Sequence, residues 1–175
     1  MHIGQIITAD DANGTGMRVS IFVSGCTNHC KGCFQPETWD FHYGREYTKE
    51  IEAFILEELA KPYYSGLTIL GGEPFELENQ ETVCKLIKQV KETLPEKTIW
   101  VFTGFIFEKD LRPGGRRYGT FTDEILQNTD ILVDGPYTED QYSLRLKFRG
   151  SKNQRIIDIK ETLKTGEIVL SALNN

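Results

Sequence analysis

Cys26, Cys30 and Cys33 fall within eight residues of one another, in the stretch 25–34 that directly follows the apolar run 19–23. Thiolates are soft ligands suited to iron–sulfur clusters and to zinc. Three of them can hold three corners of a cubane cluster and leave the fourth iron without a protein ligand, which is a place for chemistry. His29, inside the same stretch, offers the other assignment, a Cys3His zinc site of the common structural kind. Adjacent ligands at His29 and Cys30 suit one tetrahedral ion poorly, because neighbouring side chains rarely both turn toward it. The spacing therefore favours the cluster and leaves zinc as the alternative. The odd number of clustered cysteines speaks against an internal disulfide framework.

Such ligands need a scaffold. Apolar β-rich runs alternate with segments of helical period, the pattern of a parallel α/β sheet. A strand is expected over 17–24, with a shorter one at 3–8 before it and Asn13-Gly14 at the turn. A helix follows over about 48–61, capped by the Thr48 hydroxyl and stopped by Pro62, with Ile51, Phe54, Ile55 and Leu59 as its apolar stripe. The strand 66–70 runs into Gly71-Gly72-Glu73-Pro74. The next helix carries Val83, Leu86, Ile87, Val90 and Leu94 on one face, and Cys84 beside that stripe reads as a small buried hydrophobe. Strands at 98–103 and 131–133 follow, with a helix at 123–128 between them. In the tail, 146–148 and 155–158 read as strands and 159–163 as a short helix ended by Gly166.

The C-terminal ends of parallel strands share one face of an α/β fold, and sites are built from the loops there. The cysteine loop, the turn at Gly71-Gly72-Glu73-Pro74, Thr103-Gly104 and Asp134-Gly135-Pro136 all follow such ends, so they are expected to converge. Gly71 and Gly72 would let backbone approach a ligand closely, and Glu73 could accept from a ligand's ammonium group. A Gly-Gly pair on its own is more often only a tight turn.

Length and composition bound the rest. The chain has 175 residues with 39% hydrophobic and 26% charged content, which suits one compact soluble domain. Neither a signal peptide nor a membrane span is expected, and free cysteines point to a reducing cytoplasm. A formal net charge of -6 disfavours nucleic acid as a general partner. The basic run Arg145, Lys147, Arg149, Lys152 and Arg155 reads either as a solvated strand face or as a patch for an anion or an acidic protein surface.

Cys-x3-Cys-x2-Cys after one strand and Gly-Gly-Glu-Pro after the next resemble the radical S-adenosylmethionine superfamily. Further stretches narrow the resemblance: Arg-Val-Ser-Ile-Phe at 18–22 with Gly25-Cys26, Thr38-Trp39, Thr103-Gly104, Asp-Ile-Leu-Val-Asp-Gly-Pro-Tyr at 130–137 and Arg-Gly-Ser-Lys-Asn-Gln-Arg at 149–155. In order along most of the chain, they are similar to the family that activates anaerobic (class III) ribonucleoside-triphosphate reductase.

The resemblance implies an α/β fold, a short, open partial (β/α) barrel with a mostly parallel sheet, in a single radical SAM domain spanning 1–175. Four or so parallel strands are too few to close an eight-stranded barrel, and an open edge would admit a loop of a protein substrate. It implies a [4Fe-4S] cluster on Cys26, Cys30 and Cys33, with S-adenosyl-L-methionine chelating the open iron through its amino and carboxylate groups. Gly71, Gly72, Glu73 and Pro74 would clamp the methionine moiety, Gly32, Cys33 and Phe34 would flank the nucleoside, and Thr103 and Asp134 join them from loop position. Gly32 departs from the superfamily, where a bulky apolar residue commonly precedes the last cysteine; Phe34 is the candidate to supply that packing. His29 reads as a loop residue near the cluster, and Trp39 and Phe41 as packing for the loop.

By the same resemblance, one electron from the reduced cluster cleaves the sulfonium to methionine and a 5′-deoxyadenosyl radical, which takes a hydrogen from a glycine of the reductase. The implied partners are the glycyl radical subunit and a one-electron donor such as flavodoxin, with a homodimer or a heterotetramer with the reductase left open. The rival readings are an activase of another glycyl radical enzyme such as pyruvate formate-lyase, a small-molecule radical SAM enzyme, and a zinc-stabilised interaction module.

Overall fold

The computed structural model describes residues 1–174. β1 (His2–Asp10) pairs antiparallel with β2 (Arg18–Val23), and the two-residue β3 (Arg45–Glu46) pairs antiparallel with the start of β1. Helix α1 (Lys49–Leu59) carries the chain to β4 (Gly66–Gly71), which lies parallel to β2. α2 (Leu77–Thr93) leads to β5 (Thr98–Phe102), and the short α3 (Phe107–Asp110) and α4 (Thr122–Asn128) lead to β6 (Ile131–Asp134), both strands again parallel to their predecessors. β7 (Arg155–Asp158) returns antiparallel on β6 and passes into α5 (Ile159–Thr165). The sheet order is β3-β1-β2-β4-β5-β6-β7, four parallel strands with antiparallel strands on either side, so the sheet is mixed. β3 and β7 end the order unpaired with each other, which leaves the sheet open.

Strand alternation gives the sheet two different faces. Val19, Ile21, Val23, Leu67, Ile69, Ile99, Val101, Leu132 and Ile157 join Ile55, Leu59, Val83, Leu86, Ile87, Val90, Ile125 and Leu126 in one core. Crossovers between parallel strands share one hand, so their helices land on the same side of the sheet. Burying each such side chain contributes about 1.5–3 kcal/mol. The opposite face is covered by loops. It carries a smaller cluster of Trp100, Val133 and Ile156 with Phe102, Phe148 and Leu173 packed against it. Local signals fix the helix ends: Thr48 accepts from the Ile51 N–H, Asp158 from the Glu161 N–H, and Gly166 at φ 78 closes α5.

Arg18, which sits in an otherwise apolar strand, is fully buried. Its guanidinium donates to Thr68 Oγ1 (2.6 Å), the Leu67 carbonyl (2.7 Å), and the carbonyl (2.9 Å) and hydroxyl (3.0 Å) of Thr98. It also lies 5.5 Å from the centre of the Trp100 ring. Burial lowers its pKa to about 10. This one side chain stitches the starts of β2, β4 and β5, at the end of the sheet away from the cysteines.

The tail differs from expectation in one place. Residues 146–148 are not a strand: only an isolated Tyr142–Ser151 bridge closes the base of an irregular flap. Phe148 takes φ 58, outside the extended region, to set its ring edge-on against Trp100 at 5.4 Å.

Candidate metal centre and cofactor cavity

The cysteine loop leaves β2 and is held from three sides. Its first turn is pinned by backbone bonds from Gly25 N to Thr38 O (2.8 Å) and from Cys26 N to Trp39 O (3.2 Å). Thr27 donates through its N–H (2.8 Å) and hydroxyl (2.6 Å) to Glu76 Oε1, and Arg117 bonds Thr27 Oγ1 (2.7 Å) while its Nε lies 3.0 Å from Glu76 Oε2. The Cys33 N–H donates to the Cys30 carbonyl (3.1 Å), closing the turn between the last two cysteines of the loop.

The turn after β4 is the second wall. Gly72 N donates to Val23 O (2.7 Å) and Glu73 N to Gly25 O (2.8 Å), which extends the β2–β4 seam to the cysteine loop. Gly71 takes φ +103, and a Cβ on Gly72 would stand within 2.7–3.0 Å of the carbonyl oxygens of Gly25, Thr38 and Val23. Glycine is required at both positions, at the first by conformation and at the second by space. Glu73 is fully buried, and its carboxylate accepts from the Phe75 N–H (3.0 Å), Thr103 Oγ1 (2.8 Å), the Gly104 N–H (2.8 Å) and, at 3.4 Å, Asn28 Nδ2. Burial pushes its pKa up to about 7 against the pull of those donors.

Cys26, Cys30, Cys33, Phe34, Gly71, Gly72 and Thr103 all line one cavity of about 590 Å³, within the roughly 300–1,000 Å³ range of small-molecule sites. Its floor is the loop-covered face of the sheet, through Phe22, Leu70 and Phe102. Of the other residues singled out from the sequence, Gly32, Glu73, Pro74 and Asp134 do not line it. Gly32, at φ +73, lies against Glu139, where an added Cβ would come within 2.9 Å of Oε1. Pro74 is buried behind the turn. Asp134 is buried against Arg155 (2.8 Å to Nε) and accepts from the Phe107 N–H (2.9 Å). It holds the start of the Gly135 turn. Cys84 is buried in α2 and donates to Glu124, apart from the cavity.

These residues fit a thiolate-ligated cluster. The backbone N–H groups of Asn28 and His29 reach the Cys26 sulfur, and that of Tyr137 reaches the Cys30 sulfur. Donors to sulfur of this kind stabilise cluster thiolates and tune their potential. Burial, with the Glu73 charge behind it, pushes the Cys26 thiol up to about 12, and burial also raises Cys30. The free thiols of Cys26 and Cys30 therefore keep their protons near neutrality, and binding a metal group would release them. The His29 ring is stacked on Trp39 with centroids 4.6 Å apart, where it packs the loop. Among the described residues, no three His, Cys, Asp or Glu side chains are grouped closely enough to hold a single metal ion.

Several cavity residues escaped the sequence reading of the site. Tyr137, Arg149, Gly150 and Gln154 line it, and the run 149–155 folds back to present them. Gln154 accepts from the Gly150 N–H (2.8 Å) and donates to Gly135 O (3.0 Å), while Asn153 donates to Pro136 O (2.7 Å). Arg149 bonds Asn174, and Arg155 bonds Glu108 and Asp134. The signal was present in the two runs at 130–137 and 149–155, whose likeness to a family marked them as a pair without showing that they join each other.

A cysteine-lined cavity at the ends of parallel strands fits an iron–sulfur protein, and a family match makes that the class. Residues 12–157 match the family described as a 4Fe-4S single cluster domain. The chain is 36% identical over 156 residues to the anaerobic ribonucleoside-triphosphate reductase-activating protein of Enterobacteria phage T4, covering 89% of this chain and 93% of that one. It is 35% identical to the protein of that name in Pasteurella multocida (89% and 96% covered) and 31% identical to that in Escherichia coli K12 (88% and 96% covered). The chain belongs to the family of anaerobic ribonucleoside-triphosphate reductase-activating proteins.

Proposed function

We propose that this chain is a radical S-adenosylmethionine enzyme that installs the glycyl radical on anaerobic ribonucleoside-triphosphate reductase. The observation that carries the reading is the single cavity shared by Cys26, Cys30 and Cys33 with the glycine seam at Gly71 and Gly72. The names of its relatives supply the partner. When bound, a [4Fe-4S] cluster with one open iron and S-adenosylmethionine would supply the one-electron cleavage that makes a hydrogen-abstracting carbon radical.

The chain's own residues bind, orient and exclude. The three cysteines hold the cluster at the mouth of the β2 loop. Gly71 and Gly72 bring backbone to the methionine moiety without side-chain obstruction, while Glu73 and Thr103 fix the turn from behind. Phe34, tilted against Tyr137 at 5.0 Å, offers apolar surface to the nucleoside beside Cys33. Phe22, Leu70 and Phe102 make a floor that keeps water from a reactive intermediate. The sheet, on this reading, is the wall of a short, open partial (β/α) barrel in a single domain, and its open side admits the reductase's glycine loop. A small one-electron donor such as flavodoxin and a cytoplasmic setting belong to the same proposal.

The experiment is anaerobic reconstitution followed by iron and sulfide analysis and product analysis with a strong reductant. The proposal expects about four irons per chain, an electron paramagnetic resonance signal that changes on adding S-adenosylmethionine, and release of 5′-deoxyadenosine. A colourless protein that binds only zinc would refute it.

A further inference from the structure

Residues 142–152 form a flap with two different faces. Leu146, Phe148, Arg149 and Gly150 line the cavity. Leu144 is 88% exposed, and Tyr142 and Phe34, with rings 5.9 Å apart, are 45% and 66% exposed. Arg145, Lys147 and Lys152 are exposed, and among the described residues none of the three is ion-paired. Arg155, by contrast, is engaged inside the fold with Asp134 and Glu108. The basic run of the sequence thus divides into a structural part and a part held out to solvent.

The outward part is not an ordinary solvated face. Exposed Leu144 and Tyr142 lie within this one short segment beside three unpaired cations, and exposed Phe34 of the cysteine loop, which lines the cavity, sits next to Tyr142, on a chain whose net charge is -6. Apolar anchors inside a charged rim are the anatomy of a protein interface, and unpaired cations on an acidic protein steer an acidic partner in one orientation. The flap is stitched at its base by the Tyr142–Ser151 bridge and by Lys152 N donating to Gln141 O (3.0 Å). Its geometry is therefore set before any partner arrives.

We infer that the outer face of this flap is where the reductase docks, through a segment that carries carboxylates beside an apolar side chain; this rests on the functional reading above. Docking there sets the partner directly over the cavity, so recognition and delivery of the glycine loop use the two sides of one element.

The test uses the full chain, its anaerobically reconstituted form, and the glycyl radical subunit of the reductase. Affinity and self-association are measured at low ionic strength and at about 0.5 M salt for wild type, Lys147→Glu/Lys152→Glu and Leu144→Asp. The inference expects the double variant to bind at least about tenfold more weakly at low salt, with the difference shrinking at high salt. Leu144→Asp should bind more weakly at both. All three proteins should release 5′-deoxyadenosine equally in the absence of partner. Variants that bind the reductase as wild type does would overturn this surface while leaving the activase reading intact. Variants that bind the reductase normally but lose self-association would assign the face to a second copy, and equally overturn it. Wild type that neither binds nor activates the reductase would remove the functional reading and this surface together.

Discussion

The Thr103 hydroxyl donates to Glu73 Oε1 across 2.8 Å of protein interior, joining the end of β5 to the turn after β4. Because Glu73 also accepts from Gly104 and Asn28, one buried carboxylate ties three of the loops around the cavity. Glu73→Gln keeps the shape but turns an amide NH2 toward groups that are themselves donors. It should cost about 1–3 kcal/mol, measured by urea unfolding of the metal-free chain.

The same residue predicts a pH dependence. Its folded pKa, about 7, lies above the ordinary 4.5, because burial disfavours the charge. Between those values the unfolded chain has released a proton that the native chain still holds, so stability falls as pH rises from about 4.5 to about 7 and then levels off. The advantage of wild type over Glu73→Gln should therefore shrink as pH rises across that window, and only there. A constant difference from pH 4.5 to 8 would contradict the assignment.

Gly72→Ala places a methyl group against three backbone carbonyls that cannot swing away. The β2–β4 seam must open at the cysteine loop, and cluster content after reconstitution should drop severalfold even where circular dichroism shows the sheet retained. A normally loaded Gly72→Ala protein would mean that the loop moves independently of this turn.

Arg18→Met removes a buried charge but orphans the Thr98 and Leu67 carbonyls that it bonds. A loss of about 1–3 kcal/mol for each orphaned acceptor is expected, read as a lower unfolding midpoint. The cysteine loop is at the other end of the strands, so cluster binding by the protein that remains folded should be unchanged.

How far these elements were legible follows from their range in sequence. The strands other than the two-residue β3, and the helices α1, α2 and α5, announce themselves through local periodicity, and Thr48, Asn13-Gly14 and Gly166 mark ends among them. The cysteines were legible because all three lie within one loop. Glu76 was not, because nothing local distinguishes a carboxylate at the start of α2 that reaches Thr27 from one that faces water. Asp134 has the same problem in reverse: its place after a strand suggested the cavity, and only Arg155, 21 residues on, shows what holds it. The stretch 146–148 alternates as a strand would, yet Phe148 gives up extended geometry to pack on Trp100.

The four cysteines give a clean contrast. Alanine at Cys26, Cys30 or Cys33 removes a thiol from the cavity, and each should abolish stable cluster binding on reconstitution. Cys84→Ala deletes a buried thiol that donates to Glu124, so it should cost stability of about 1 kcal/mol and leave iron content at the wild-type level. Iron and sulfide analysis of the four variants separates the roles.

The most direct test is electron paramagnetic resonance on an anaerobic mixture of reconstituted protein, S-adenosylmethionine, a strong reductant and a class III ribonucleotide reductase subunit. The account predicts a stable organic doublet carried by the reductase, absent when Cys30→Ala replaces the wild type. A cluster that responds to S-adenosylmethionine while the reductase stays diamagnetic would contradict the assignment of its partner.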